Sequence, residues 1–383
     1  MKRVILLGSS GSIGQSTCTV ARQLPDEMKL VGFAINRSVQ TLIEQVDEFA
    51  PEAVAVVDSE SAETFSKARS TPCYQGEEGL VELVEKTEAD LVLVAIVGTG
   101  GLKPSLAALH SGKDLAVASK EILVMAGEEV METAQRMGRQ ILPVDSEHNA
   151  IFQCLADAPE KEVRRILLTA SGGPFRTLPA DQLKDVQLEQ ALKHPTWEMG
   201  RKITIDSATM FNKGLEMIEA RWLFGIEMDR IEVLVHPQSL VHSMVEFIDH
   251  SMIAQLSHSD MCFPIQYAVT YPKRRANSLK PLDLAEIGQL VFEKPDPVKF
   301  PSLRLARKAG EKGGTLPAVF NAANEVAVEA FIEKKVLFPG IWETVESVMQ
   351  DHRNIDSPKL DDILAADKWA RDQAHHYVLE KIK

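Results

Sequence analysis

A chain of 383 residues exceeds what one ordinary hydrophobic core organises and leaves room for two or three domains. With 45% hydrophobic and 25% charged residues it holds enough apolar surface to fold and little room for extended disorder. Its net charge of −13 excludes a general binder of nucleic acid or anionic membrane, so a phosphorylated ligand would need locally gathered cations and amide donors.

In chain order, apolar runs at 3–7, 30–35, 53–57, 91–97, 115–118 and 141–144 predict strands buried on both faces, as in a parallel sheet. Helical periodicity lies between them, clearest over 121–137. This alternation predicts a Rossmann-like, doubly wound α/β domain over 1–145, with ligands beyond the carboxyl ends of its strands. Directly after the first strand comes Gly8-Ser9-Ser10-Gly11-Ser12-Ile13-Gly14. Glycines permit a tight turn, and the helix that follows offers amide donors and partial positive charge to a pyrophosphate. The spacing is GxxGxxG rather than GxGxxG, a weak motif that gains weight from its place between strand and helix. The second strand ends in Asn36-Arg37-Ser38, where an NAD-binding domain carries an acid. Without that carboxylate, Arg37 can grip a 2′-phosphate, which favours NADPH; a solvated loop arginine is the alternative. Asp145-Ser146-Glu147 closes the domain. If that backbone is extended, Asp145 and Glu147 point the same way and converge on a hard cation such as Mg²⁺ or Mn²⁺; a helix cap would give the same triplet.

Beyond 145 the pattern changes. Runs at 164–169, 231–235, 241–247 and 252–256 predict a second, partly antiparallel sheet within an α/β domain over 146–275. Between them lie Ser171-Gly172-Gly173-Pro174-Phe175 and His194-Pro195-Thr196-Trp197-Glu198-Met199-Gly200, both loop-like. On a helix, Asn212, Lys213 and Glu216 share one face beside Asp206-Ser207, a set able to hold a phosphate, sugar hydroxyls and a metal; a surface helix with a solvated Lys–Glu pair would look alike. A proline-rich stretch follows, with 276–301 taken as linker, and 302–383 predicts a helical C-terminal domain, clearest over 322–334 and 341–349. Trp342 and Trp369 are expected between helices, Met210, Met217 and Met228 in the core, and His148 as a core donor or one behind the metal motif, pointing away from it. Cys18, Cys73, Cys154 and Cys262 form no CxxC pair and predict reduced thiols of a cytoplasmic protein. The apolar run 4–7 is too short for a signal peptide, and no segment approaches the roughly 20 apolar residues of a membrane span.

The glycine loop, Ala118-Ser119-Lys120-Glu121, Val144-Asp145-Ser146-Glu147-His148-Asn149-Ala150, the 171–175 and 194–200 loops, 206–216 and His236-Pro237-Gln238-Ser239 together resemble, in the same order, the 1-deoxy-D-xylulose 5-phosphate reductoisomerase family. Residues 316–325 fit as well. The resemblance implies the committed step of the methylerythritol phosphate route to isoprenoids. That step is rearrangement and NADPH-dependent reduction of 1-deoxy-D-xylulose 5-phosphate to 2-C-methyl-D-erythritol 4-phosphate, with Mg²⁺, Mn²⁺ or Co²⁺. It further implies a homodimer acting on a phosphosugar, with no nucleic-acid or membrane partner.

Carried over by motif, Asp145, Glu147 and Glu216 would be metal ligands, and Lys120 and Glu147 catalytic, with Ser146 also facing the carbon chain. Ser171, His194, Ser207 and Asn212 would surround the phosphate, Lys213 would reach hydroxyls, and Trp197 and His242 would lie close, Trp197 as a cover. Ser10, Gly11, Ser12, Ile13, Asn36, Arg37, Ser38, Ser119, Glu121 and Gly200 would contact the cofactor. Two departures stand out: Ser119 replaces the family's usual Asn, and Gly98-Thr99-Gly100-Gly101 replaces a more alanine-rich loop. The rival readings are a plain NADP-dependent dehydrogenase, which leaves the carboxylates without a role, and a nucleotide-binding sensor.

Overall fold

The computed structural model describes residues 1–156, 158–197 and 199–381; Glu198 of the 194–200 loop lies outside the described residues. The chain opens with β1 (Lys2–Leu7), α1 (Ser12–Gln23), β2 (Met28–Ile35), α2 (Val39–Phe49), β3 (Ala53–Val56), α3 (Ser59–Ala68) and β4 (Cys73–Gln75). It continues through α4 (Gly76–Lys86), β5 (Leu91–Val94), α5 (Leu102–His110), β6 (Asp114–Val117), α6 (Lys120–Met137), β7 (Ile141–Pro143) and α7 (Ser146–Leu155). Then come β8 (Val163–Ala170), α8 (Leu188–Ala191), α9 (Arg201–Ala208), α10 (Phe211–Phe224), β9 (Ile231–Val235), β10 (Val241–Phe247) and β11 (Met252–Leu256). Helices α11 (Cys262–Thr270), α12 (Leu284–Ile287), α13 (Ser302–Lys312), α14 (Leu316–Ile332), α15 (Gly340–Asp351) and α16 (Leu360–Lys381) complete it.

Two compact units result. The first comprises Met1–Ile122, Glu128–Asn149 and Asp260–Lys280; the second comprises Leu123–Gly127, Ala150–Ser259 and the chain from Pro281. The expected partition into 1–145, 146–275, a 276–301 linker and 302–383 does not coincide with these units. Ile166 and Val245 of the second sheet share one core with Phe320, Val345 and Ala370 of the C-terminal helices, so sheet and helices fold together. Residues 260–280 return to the first unit, where the Asn149 amide donates to the carbonyl of Pro264 at 3.2 Å.

The first unit holds a seven-stranded parallel sheet in the order β4-β3-β2-β1-β5-β6-β7. Val4 to Leu7 and Leu91 to Val94 are fully buried, as strands covered on both faces require. Strand order reverses at β1 and β5, so the crevice beyond their carboxyl ends is where this topology receives a ligand. The edge strand β4 escapes the sequence pattern because Cys73-Tyr74-Gln75 has no apolar run.

The second unit carries the sheet β11-β10-β8-β9, antiparallel except for β8 with β9. Alternation turns Ile166, Leu168 and Val245 to the large core and Arg165, Leu167, Met244 and Glu246 to the other face. There Arg165 donates through Nε to Glu246 at 2.5 Å and through Nη1 to Glu232 at 2.8 Å. The Arg165 hydrogen bond, opposed by desolvation and helped by His250 and Arg164, holds the Glu246 carboxyl down at about 2, against an ordinary 4.5. A depressed carboxylate stabilises the fold above its unfolded value, and the contribution fades as pH falls from 4.5 toward 2. Glu246→Gln should therefore lower the melting temperature by roughly 2 °C at pH 7, with the gap to the parent narrowing below pH 4.5. Paired thermal melts across pH check this; a gap independent of pH removes the ion network as its source.

Candidate active site

Gly8 sits at φ +89°, and a Cβ there would lie 2.4 Å from the carbonyl oxygen of Ala95, just beyond β5. A Cβ on Gly14 would fall 2.3 Å from the Ser9 carbonyl oxygen. Both glycines are therefore required by the turn itself. Gly11 is different: it is exposed, extended at φ −75°, and its Cβ would meet only the Gly8 oxygen at 3.5 Å. Gly11 precedes α1, and among the described residues no side chain caps this helix, leaving its first amides for an anion. Ser10, Ser12 and Ile13 belong to the same turn and are half-buried or exposed. The cradle fits a dinucleotide pyrophosphate.

Asn36, Arg37 and Ser38 follow β2, and the exposed Arg37 pairs through Nε with Asp58 at 3.1 Å. Asp58 carries no apolar signature, and the sequence pattern missed it. Its only advance sign is position, since an acid directly after β3 must emerge beside the carboxyl end of β2. Ser119 is buried and donates its single proton to the carbonyl of Ile96 at 2.5 Å, so the shorter side chain turns toward the backbone after β5. In the neighbouring loop, Gly101 is a packing glycine, its Cβ position 2.9 Å from Val94 Cγ1, while Gly98 takes φ +76°. Glu121 is buried in the first turn of α6.

Strands β6 and β7 are parallel neighbours, so the residues following them meet. Lys120, which opens α6, forms a buried ion pair with Asp145 just beyond β7. Asp145 also accepts the Glu147 amide at 3.1 Å, and the Ser146 hydroxyl donates to Glu147 Oε2 at 2.6 Å. The backbone here is the start of α7 rather than extended, so the two carboxylates are arranged by a capping turn and not by strand alternation. His148 is fully buried, as a core donor would be, but faces the motif rather than away from it: Nδ1 lies 3.6 Å from Asp145 Oδ1, because i and i+3 share a helix face.

In the second unit, Ser171 follows β8. Its hydroxyl oxygen lies 3.0 Å from His194 Nε2 and accepts the Gly173 amide at 3.2 Å. His194 Nδ1 accepts from the amides of Thr196 and Trp197 at 3.2 and 3.0 Å. An Nδ1 that accepts requires the proton on Nε2, so His194 donates to Ser171 and leaves the Ser171 proton for a ligand. Gly173, at φ +65°, would place a Cβ 2.8 Å from the Ser207 carbonyl oxygen; its lack of a side chain brings the Ser171 loop against Ser207. Asp206, buried beside Ser207, is held by Lys202 one helical turn away at 2.9 Å and by Asn324 at 2.8 Å, the latter a contact that residue spacing did not reveal. Gly200 precedes α9, and Trp197 lies edge-on to His242, ring centroids 6.4 Å apart. His242 itself is buried with Nε2 3.1 Å from the Ser257 carbonyl oxygen.

Helix α10 confirms the one-face reading and removes the solvated alternative, because Lys213 and Glu216 are buried at 3% and 0% exposure. Asn212 Nδ2 donates to Glu216 Oε1 at 2.6 Å, and Lys213 pairs with Oε2. Among the described residues the buried Asn212 Oδ1 has no hydrogen-bond partner, an acceptor suited to a ligand hydroxyl.

Models of this family match three stretches: 1-deoxy-D-xylulose 5-phosphate reductoisomerase over residues 4–127, and its C-terminal domain descriptions over 141–224 and 256–373. A relative from Pelodictyon phaeoclathratiforme bearing that name is 50% identical over 381 residues, covering 99% of this chain and 100% of its own. One from Pelotomaculum thermopropionicum is 50% identical over 375 residues, covering 97% of each. The Zymomonas mobilis enzyme solved in complex with NADPH superposes with TM-score 0.92 at 41% identity, covering 98% of this chain and 99% of that one. A DOX-P reductoisomerase solved with NADPH, fosmidomycin and magnesium gives TM-score 0.94 at 38% identity over 99% and 98%. With fold, motif order and near-complete length in agreement, the chain belongs to the 1-deoxy-D-xylulose 5-phosphate reductoisomerase family.

Proposed function

We propose that this chain rearranges 1-deoxy-D-xylulose 5-phosphate and reduces the resulting aldehyde with NADPH to 2-C-methyl-D-erythritol 4-phosphate, using Mg²⁺ or Mn²⁺. The observation that carries the reading is the polar set of half-buried Ser171, His194, Ser207 and Asn212 beside the buried Lys213, which a plain dehydrogenase does not need, on a chain that also has a pyrophosphate cradle. Relatives solved with NADPH and with magnesium support both groups.

Asp145, Glu147 and Glu216 are the proposed cation ligands, with Glu147 also catalytic; their oxygen-only donors suit a hard ion. These carboxylates would hold a cation that supplies charge withdrawal for the rearrangement, and the glycine turn would hold the NADPH that supplies the hydride. Lys120 presents a buried ammonium for developing oxyanion charge, and Ser146 a hydroxyl to the carbon chain. Ser171, His194, Ser207 and Asn212 hold the phosphate; Lys213 and Glu216 orient hydroxyls. Trp197 and His242 close over the sugar. Ser10 to Ile13, Asn36 to Ser38, Ser119, Glu121 and Gly200 hold the cofactor.

The test is NADPH oxidation, followed at 1-deoxy-D-xylulose 5-phosphate saturation. Turnover should need both the sugar phosphate and the divalent cation, and chelation should abolish it. Oxidation of NADPH with a simple hydroxyketone alone, and none with the sugar phosphate, would favour the dehydrogenase.

A cytoplasmic location is proposed from the family; among the described residues no helix is long and apolar enough to cross a membrane, and no cysteine forms a disulfide. A homodimer is proposed on the edge strand β11, where Met252 and Ile253 are about half exposed beside Ile248 at 62%, an apolar edge that a second copy would cover. Light scattering should give twice the 42.3 kDa chain mass, and Ile253→Lys should shift it to the monomer; a monomeric parent overturns this.

A further inference from the structure

Strands β2 and β3 pair in parallel up to Ile35 and Val56, and the pairing continues past both ends. Val57 donates to the Ile35 carbonyl at 3.1 Å and Asp58 to that of Asn36 at 3.2 Å. The backbone thus fixes Asp58 beside Arg37 before any side chain acts. Asp58 then divides its carboxylate. Oδ2 accepts the Ser61 amide at 3.0 Å and the Ser61 hydroxyl at 2.8 Å, capping α3, while Oδ1 accepts Arg37 Nε at 3.1 Å. Among the described residues only the Nε edge of this guanidinium is hydrogen-bonded, and the side chain is 78% exposed. The same residues bound a cavity of about 570 Å³, with Ser59, Glu60 and Thr64 on its wall.

We propose that Asp58 is a positioning residue for cofactor selection: it holds Arg37 by Nε so that both terminal nitrogens face a phosphomonoester on the adenosine ribose. The inference rests on Arg37 being the 2′-phosphate receptor. A free arginine samples many rotamers and loses that freedom when it binds; one already gripped on its inner edge offers the two parallel N–H bonds that a phosphate accepts in a plane. An acid facing a phosphate would ordinarily repel it. Here the carboxylate is offset by the guanidinium on one oxygen and by the amino end of α3 on the other.

Asp58→Asn separates positioning from capping. Asparagine caps helices about as well as aspartate, so α3 should persist, but an amide that accepts from Ser61 turns its NH₂ toward Arg37 Nε and cannot accept there. The expected result is a KM for NADPH raised about three- to tenfold, with kcat, the KM for NADH and the melting temperature nearly unchanged. In an Arg37→Ala background the same substitution should add nothing. Unchanged or tighter NADPH binding in Asp58→Asn, with Arg37→Ala still lowering NADPH preference, overturns the role of Asp58 alone. An Arg37→Ala variant that weakens NADPH and NADH equally overturns the underlying assignment of Arg37 instead.

Discussion

Glu216→Gln should lower turnover of 1-deoxy-D-xylulose 5-phosphate by about a hundredfold or more and shift the divalent-cation titration to higher concentration. Glu216 is fully buried, with Asn212 donating to one carboxylate oxygen and Lys213 to the other. Glutamine keeps the shape and removes the charge, and one of its ends then sets donor against donor. The change also strips a carboxylate from a buried ammonium. Breaking such a pair costs about 3–5 kcal/mol, so the melting temperature should fall as well. Activity must therefore be compared below the variant's own melt. Glu216→Gln with Lys213→Met removes both charges and should recover much of the stability with none of the turnover. Reduction of preformed 2-C-methyl-D-erythrose 4-phosphate should be less damaged than conversion of the ketose, because hydride transfer requires no carbon migration. A folded Glu216→Gln protein with parental metal dependence and turnover would remove Glu216 from the ligand set.

The glycine turn gives a second large effect, and Gly14 and Gly11 should behave differently. Gly14→Ala places a Cβ 2.3 Å from one main-chain oxygen and 2.5 Å from another, atoms that cannot move without opening the turn. NADPH affinity should fall about a hundredfold or more, and stability with it. Gly11→Ala faces only an ordinary contact at 3.5 Å on backbone that alanine adopts freely. Its melt should stay within about 1 °C of the parent while NADPH affinity drops roughly tenfold, since the added methyl stands where a pyrophosphate would approach the amides of α1. NADPH fluorescence titration beside thermal melts measures both. Parental affinity in Gly11→Ala would place the pyrophosphate elsewhere.

The parallel sheet was legible because its evidence is local: each central strand is a continuous apolar run, and Gly8 to Gly14 announces a strand-to-helix turn within seven residues. The face shared by Asn212, Lys213 and Glu216 was legible for the same reason, since helical spacing alone sets it. What the spacing could not carry was burial, which turns a generic Lys–Glu pair into a charged cluster inside the second unit. Nor could it show contacts made across the sequence. Asp58 meets Arg37 through strand pairing, Asp206 meets Asn324 from 118 positions away, and the helices after 302 join the core of a sheet they follow. Asp145-Ser146-Glu147 left extended backbone and a helix cap both open, because the two look alike in three polar residues; the structure has the cap.

Residues 260–280 bear on synthesis. They pack α11 against α1 and anchor to the opening strand through Lys2, whose ammonium lies 3.4 Å from the Tyr271 carbonyl oxygen, and to the turn before β2 through the Arg275–Glu27 ion pair at 2.7 Å. On the ribosome, the first 149 residues emerge well before the segment that completes their fold. At roughly 5–20 residues per second the delay is on the order of ten seconds, during which the flank of α1 that α11 later covers faces water. A nascent chain in that interval is exposed to chaperones and proteases at the nucleotide unit rather than at its C-terminal helices. For the same reason, a gene fragment cut after residue 150 encodes the whole parallel sheet but not a finished domain.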